Sequence, residues 1–257
     1  MKIKIAVIIL AVCIFLMYRQ LEFSEIYVEN NEYKVIFCNN SIYAVSKLKI
    51  NKLIDEKILD FKFYDIDNDE NDEILVITKT DGENKFGADI VIYDAKMDNK
   101  LLNANEIYRQ DFSEIKPWKI DACNLDNDGY ADIFIGVNKD TIFYKEVRNR
   151  PFFYSWEGGK LYKKWQGSFF TDWNFAGITF GDYFNLGRDT AAILEKNEDN
   201  LYRVGVYSFT GFGFLNITNS INYENIKDIK TINYNNKDEI KLESYFLNKN
   251  IDVEFEN

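Results

Sequence analysis

The stretch Asn124 to Gly136 reads N-L-D-N-D-G-Y-A-D-I-F-I-G. Oxygen-bearing side chains fall at its positions 1, 3, 5 and 9 (Asn124, Asp126, Asp128, Asp132), a glycine stands at position 6, and an apolar run follows at once. That is the spacing of a calcium loop. Alternate side chains of a tight turn converge on one point, position 7 offers its backbone carbonyl (here Tyr130), and Gly129 permits the bend between them. A helix-loop-helix calcium site would need a bidentate Glu at position 12. Position 12 here is Ile135, inside the run Ile133, Phe134, Ile135, so the loop closes with Asp132 and joins two β-strands.

The pattern recurs. Asp65 to Glu73 matches it position for position, with Asp65, Asp67, Asp69 and Glu73 at 1, 3, 5 and 9 and Asn71 at 7, although Glu70 replaces the glycine. Ile74, Val76 and Thr78 then continue as an alternating strand. A third copy starts at Asp182 and keeps Gly187, but Phe184 and Leu186 stand at positions 3 and 5, which predicts no metal there. A fourth, Thr231 to Glu239, offers Thr231, Asn233, Asn235 and Glu239, one charge only, and is a weak site at best.

The copies start at 65, 124, 182 and 231, intervals of 59, 58 and 49 residues. Two further strand signals lie between successive loops, such as Ile90 to Tyr93 with Leu101 to Tyr108, or Phe152 to Trp156 with Leu161 to Trp165 across Gly158-Gly159. Four short antiparallel strands per repeat at this period predict an all-β fold, a small β-propeller of four or five four-stranded blades spanning residues 22–257. Before residue 60, Tyr33 to Cys38 and Ile42 to Lys47 read as strands joined at the turn pair Asn39-Asn40. The last repeat supplies about three strands, so an N-terminal strand is expected to complete its sheet and close the ring, the alternative being that the strands before residue 60 contribute to a fifth blade.

Composition narrows the function classes. The 257 residues carry a net charge of −11, which repels phosphate backbones and argues against a nucleic-acid partner. No His is present, removing the commonest general base and zinc ligand. Three cysteines give no disulfide framework. No phosphate-binding glycine loop, nucleophile elbow or zinc motif appears, and no carboxylate outside the loops is nominated as catalytic.

Residues 1–19 place Lys2 and Lys4 before an apolar run from Ile5 to Tyr18, followed by Arg19. This reads as a signal or anchor helix with the remaining chain outside the cell. An uncleaved membrane anchor ranks ahead of a cleaved signal, which would make the protein secreted, and of lipidation at Cys13.

The N-x-D-x-D-G-x-x-D frame of Asn124 to Asp132 with its apolar strand and Gly136, together with Asp65 to Glu73, resembles the FG-GAP or VCBS-type repeats, the calcium-loop blades of integrin α-subunit heads and bacterial surface proteins. The resemblance implies two structural calcium ions, and a binding module for a protein or a cell-surface glycan. The alternative is a carbohydrate-active enzyme working through carboxylates. The aromatic group Trp118, Trp156, Trp165, Trp173 and Phe152 to Tyr154 is expected to be blade-to-blade packing, with a sugar-stacking platform as the sharper option. Arg148, Arg150 and Lys163-Lys164 are expected in solvated turns, with an anionic glycan as the alternative ligand.

Overall fold

Each strand in the computed structural model pairs antiparallel with its sequence neighbour, and pairing breaks only between blades. The structure describes residues 21–46, 49–80, 82, 85–99, 101–171, 173–235, 237–245 and 250–256. The N-terminal apolar run lies outside them. The first blade holds Glu22–Val28 (β1), Asn31–Cys38 (β2), Ser41–Ser46 (β3) and Lys49–Lys52 (β4). The second holds Ile58–Tyr64 (β5), Glu73–Lys79 (β6), Gly87–Asp98 (β7) and Leu101–Asp111 (β8). The third comprises Pro117–Cys123 (β9), Asp132–Lys139 (β10), Arg148–Glu157 (β11) and Lys160–Gln166 (β12). The fourth comprises Asn174–Gly181 (β13), Thr190–Lys196 (β14), Tyr202–Phe209 (β15) and Phe214–Asn219 (β16). Among the described residues the fifth has three strands, Ile226–Tyr234 (β17), Lys237–Ser244 (β18) and Asn250–Asp252 (β19). The fold is thus a five-bladed β-propeller. No helix among the described residues is long and apolar enough to cross a membrane.

The second strand of a blade is covered on both faces, which explains why it reads as a continuous apolar run. Side chains alternate across it and serve two interfaces at once. In β10, Ile133, Ile135 and Val137 pack towards the second blade, while Phe134 joins the core shared with the fourth. Strand β6 sends Ile74 and Val76 to the first blade, Leu75 and Ile77 to the third. In β14, Ala191 and Ile193 face the third blade and Ala192 and Leu194 the fifth. The expected aromatic packing is present for three of the four tryptophans: Trp156 is buried between the second and third blades, and Trp118 and Trp165 line the core between the third and fourth, whereas Trp173 joins no core among the described residues and lies under the Arg203 guanidinium at 4.0 Å. Gly136 makes room for Trp118, whose indole would sit 2.9 Å from a Cβ added there.

Two expectations are corrected. The N-terminal strands do not complete the last sheet; β1 pairs with β2 in a blade of its own. The first blade escapes the repeat pattern because a two-residue turn, Glu29-Asn30, with both φ positive, replaces its nine-residue loop. The fourth loop is also absent: Thr231 lies within β17 opposite Ile240, and Ile232 opposite Glu239, so a short hairpin stands where the frame suggested nine residues. The predicted turn at Asn39-Asn40 is present, between β2 and β3.

Four apolar cores join the first to fifth blades in succession, and among the described residues none joins the fifth back to the first. A cavity of about 1030 Å³ occupies the axis, lined by inner-strand residues of all five blades, among them Glu22, Lys62, Asp121, Thr179 and Asp228. Phe37, Glu243 and Asn250 carry it into the seam between first and fifth blades.

Candidate metal centre

The three nine-residue loops, 65–73, 124–132 and 182–190, share one backbone shape. Position 4 is an Asn in the left-handed region each time (Asn68, Asn127, Asn185, with φ 61, 56 and 54). Position 6 is left-handed too, at φ 70 for Glu70, 93 for Gly129 and 68 for Gly187. Asn and Gly tolerate this conformation; Glu70 adopts it at a cost of about 1 kcal/mol. Position 1 fastens the turn: the Asp65 carboxylate accepts the N–H groups of Asp69 and Glu70, and Asp182 those of Leu186 and Gly187. Asn124 does this through Oδ1, which accepts from Asn127, and its amide donates back to the Asn127 side chain. Position 9 ties the loop to its strand, with Glu73 accepting from Ile66 N–H and Asp132 from Leu125 N–H.

What lies at the centre of each acidic loop differs. In the first, carboxylate oxygens of Asp65, Asp67 and Glu73 lie within 4.8 Å of one another. Glu73 is 3% exposed. Burial, reinforced by Asp67, Asp69 and Asp65, pushes its carboxyl up to about 8, against one lowering hydrogen bond from Ile66. Burial and the charges of Asp69 and Asp65 also raise Asp67. Among the described residues no Lys or Arg forms an ion pair with Asp65, Asp67 or Glu73; the exposed Lys96 pairs with Asp94. Asp69 lies outside the converging group and accepts the Asn71 N–H. The Asn71 side-chain oxygen is committed to Glu29 N–H of the first blade, leaving its backbone carbonyl for any cation.

The second loop already holds a cation. Lys164 on β12 sends its ammonium to 2.8 Å from Asp126 Oδ1, 3.0 Å from Asp128 Oδ2 and 2.7 Å from Asp132 Oδ1. Its side chain is 11% exposed and Asp132 is fully buried. Burial pulls the Lys164 ammonium down, but the three carboxylates outweigh that and hold it charged above its ordinary value. Burial lifts Asp132 to about 6, with Lys164 opposing. The expectation of a solvated Lys164 is therefore corrected: sequence distance, 32 residues beyond Asp132, hid a partner that the β11–β12 hairpin returns to the loop. Tyr130 donates its N–H to Asp128 and exposes its ring, so only its carbonyl is suited to a metal. Arg150 is likewise no solvated turn residue, being 0% exposed.

One set of loop residues is missing from the motif reading. Asp72 Oδ2 accepts Tyr27 N–H, Asp189 Oδ2 accepts Asn124 N–H, and Asp238 Oδ2 accepts Asp182 N–H. Each carboxylate stitches its blade to the preceding one. The signal was the aspartate directly before the strand in Asp72-Glu73 and Asp189-Thr190, and at the second residue of β18 in Asp238-Glu239. The second loop has Ala131 there.

In the axial cavity, Asp121 is paired with Lys62 at 2.7 Å and Glu243 with Lys227 at 2.8 Å, while Phe37, Phe61 and Phe63 stack at 5.0 and 5.2 Å between successive centroids. The wall thus offers both charge signs and an aromatic strip. No family model matches the chain, and no curated protein matches it.

Proposed function

We propose that this chain is an outward-facing β-propeller, tethered by its N-terminal apolar run, that is stabilised by calcium at the first acidic loop and serves as a binding module for a protein or glycan. The observation that carries the metal part is the contrast between the two loops. The second satisfies its carboxylates with a lysine, whereas the first gathers three carboxylates, one buried, with no such partner among the described residues. Asp65, Asp67 and Glu73 would hold the ion with the Asn71 carbonyl, and Asp69 would reach it through water. Hard oxygen donors in this number suit calcium. At the second loop, calcium binds only by displacing Lys164. The FG-GAP-like frame supports the same reading, and in the external compartment proposed here such modules work at roughly 10⁻⁴ to 10⁻³ M calcium.

The binding role is supported by the axial cavity, large enough for a saccharide or a peptide segment and lined for polar and aromatic contact. Two of the cavity's carboxylates, Asp121 and Glu243, are engaged by lysines and so serve the wall's charge pattern. Calorimetric titration of calcium into the full chain is expected to give one site in that range, lost in Glu73→Gln. Absence of heat in the parent chain would remove the calcium role.

A further inference from the structure

The loop Asp140 to Val147 between β10 and β11 presents Ile142 and Phe143 at 82% and 87% exposure, with Val147 also exposed. Its backbone is held firmly. Arg150 donates Nε to Lys139 O at 2.7 Å, Nη2 to Glu146 O at 2.7 Å and Tyr144 O at 3.3 Å, and Nη1 to Ser168 O. A guanidinium fully buried against carbonyls alone is a costly arrangement, which fixes both ends of the loop. Thr141 and Tyr144 close the tip, with Thr141 N–H donating to Tyr144 O at 2.8 Å and Tyr144 N–H to Thr141 Oγ1 at 3.1 Å. The Tyr144 ring stands on Phe169 at 5.2 Å. Two large apolar side chains, adjacent in sequence, are thus displayed together on a braced loop, with Val147 exposed on the same loop.

Topology says what they meet. Strand β1 ends at the face of the acidic loops, where Tyr27 N–H reaches Asp72, so Leu21 at its start lies on the opposite face. Strand β10 starts from the second acidic loop and delivers residues 140–147 to that same opposite face. Only Arg19, Gln20 and Leu21 separate Tyr18, the last residue of the apolar run, from β1. Three residues span at most roughly 10 Å. We propose that Ile142 and Phe143 insert into the interface of the bilayer that holds the N-terminal run, giving the propeller a second, apolar foothold. This rests on the tethered reading above. Flanking charges are balanced, Lys139 and Lys145 against Asp140 and Glu146, so the contact is apolar and suits a zwitterionic lipid surface rather than an anionic one.

The test uses the full chain reconstituted in phosphatidylcholine vesicles with brominated acyl chains. Phe143→Trp is compared with Phe212→Trp, a 92% exposed position in the β15–β16 turn on the acidic-loop face, the parent emission being subtracted from each. Interfacial side chains reach ~5–10 Å into the headgroup and acyl boundary, so the tryptophan at 143 should lose roughly half its emission and the one at 212 almost none. Equal, small losses at both positions with the chain retained on vesicles would overturn the foothold and leave the tether standing. That result would redirect the tip to a protein partner. A chain left in the supernatant would overturn both.

Discussion

Lys164 and Glu73 are two answers to one electrostatic problem. Carboxylates crowded in a turn repel one another, and neutralisation comes either from a tethered ammonium or from something bound. Lys164→Ala strips the second loop of its cation beside a fully buried Asp132, so without calcium it should cost about 3–5 kcal/mol, as removing one partner of a buried pair does. The same variant should bind a second calcium, recovering stability in millimolar calcium; calorimetric stoichiometry checks this, and a count fixed at one would mean the loop has no metal capacity. Glu73 sets a pH dependence. Its folded-state value of about 8 lies above the ordinary value of 4.5, so in calcium-free chain its contribution to stability is complete below about pH 4.5 and is lost as pH rises through about 8. The calcium-free melting midpoint should therefore fall between about pH 6 and pH 9, and Glu73→Gln should flatten that slope.

At the scale of the element, the acidic loop is a backbone device first. The 182–190 loop keeps the left-handed Asn185 and Gly187 and the Asp182 turn bonds with Phe184 and Leu186 at two ligand positions. The strain at Glu70 follows from the same shape. Glu70→Gly should stabilise the calcium-free chain by about 1 kcal/mol, since it relieves a left-handed side-chain residue and a like charge. A chemical denaturation midpoint measures it. Phe134, touching the rings of Phe153, Phe175 and Phe180, is the best-placed core probe, and Phe134→Ala should cost about 3–5 kcal/mol. These elements were legible in the sequence because position 6, the alternating strand and the acidic frame coincide. The β17–β18 hairpin was misread because Thr231, Asn233 and Asn235 suit a strand and a turn as well as a ligand set. The stitching aspartates Asp72, Asp189 and Asp238 went unread because their partners lie a blade away.

Over the whole molecule, periodicity revealed the propeller, and its ends were the least legible part. The first blade carries no acidic loop, so only two of its strands were read, and ring closure was preferred over the additional blade that they in fact form. The seam they leave is distinctive: the fifth blade has three strands among the described residues, the C-terminal residues turn back to the fourth blade, where Ile221 N–H meets Glu254 O at 3.0 Å, and the axial cavity opens into the gap. Amide exchange should consequently be fastest in β17 and β18 and slowest in β6 and β10, which are covered on both faces. The proposed calcium at Asp65, Asp67 and Glu73 should stabilise the whole propeller. The most direct measurement is the thermal midpoint of the full chain in EDTA and in millimolar calcium, alongside Glu73→Gln. The midpoint should be higher with calcium in the parent chain, with none of that gain in the variant. An unchanged parent midpoint would contradict that stabilisation.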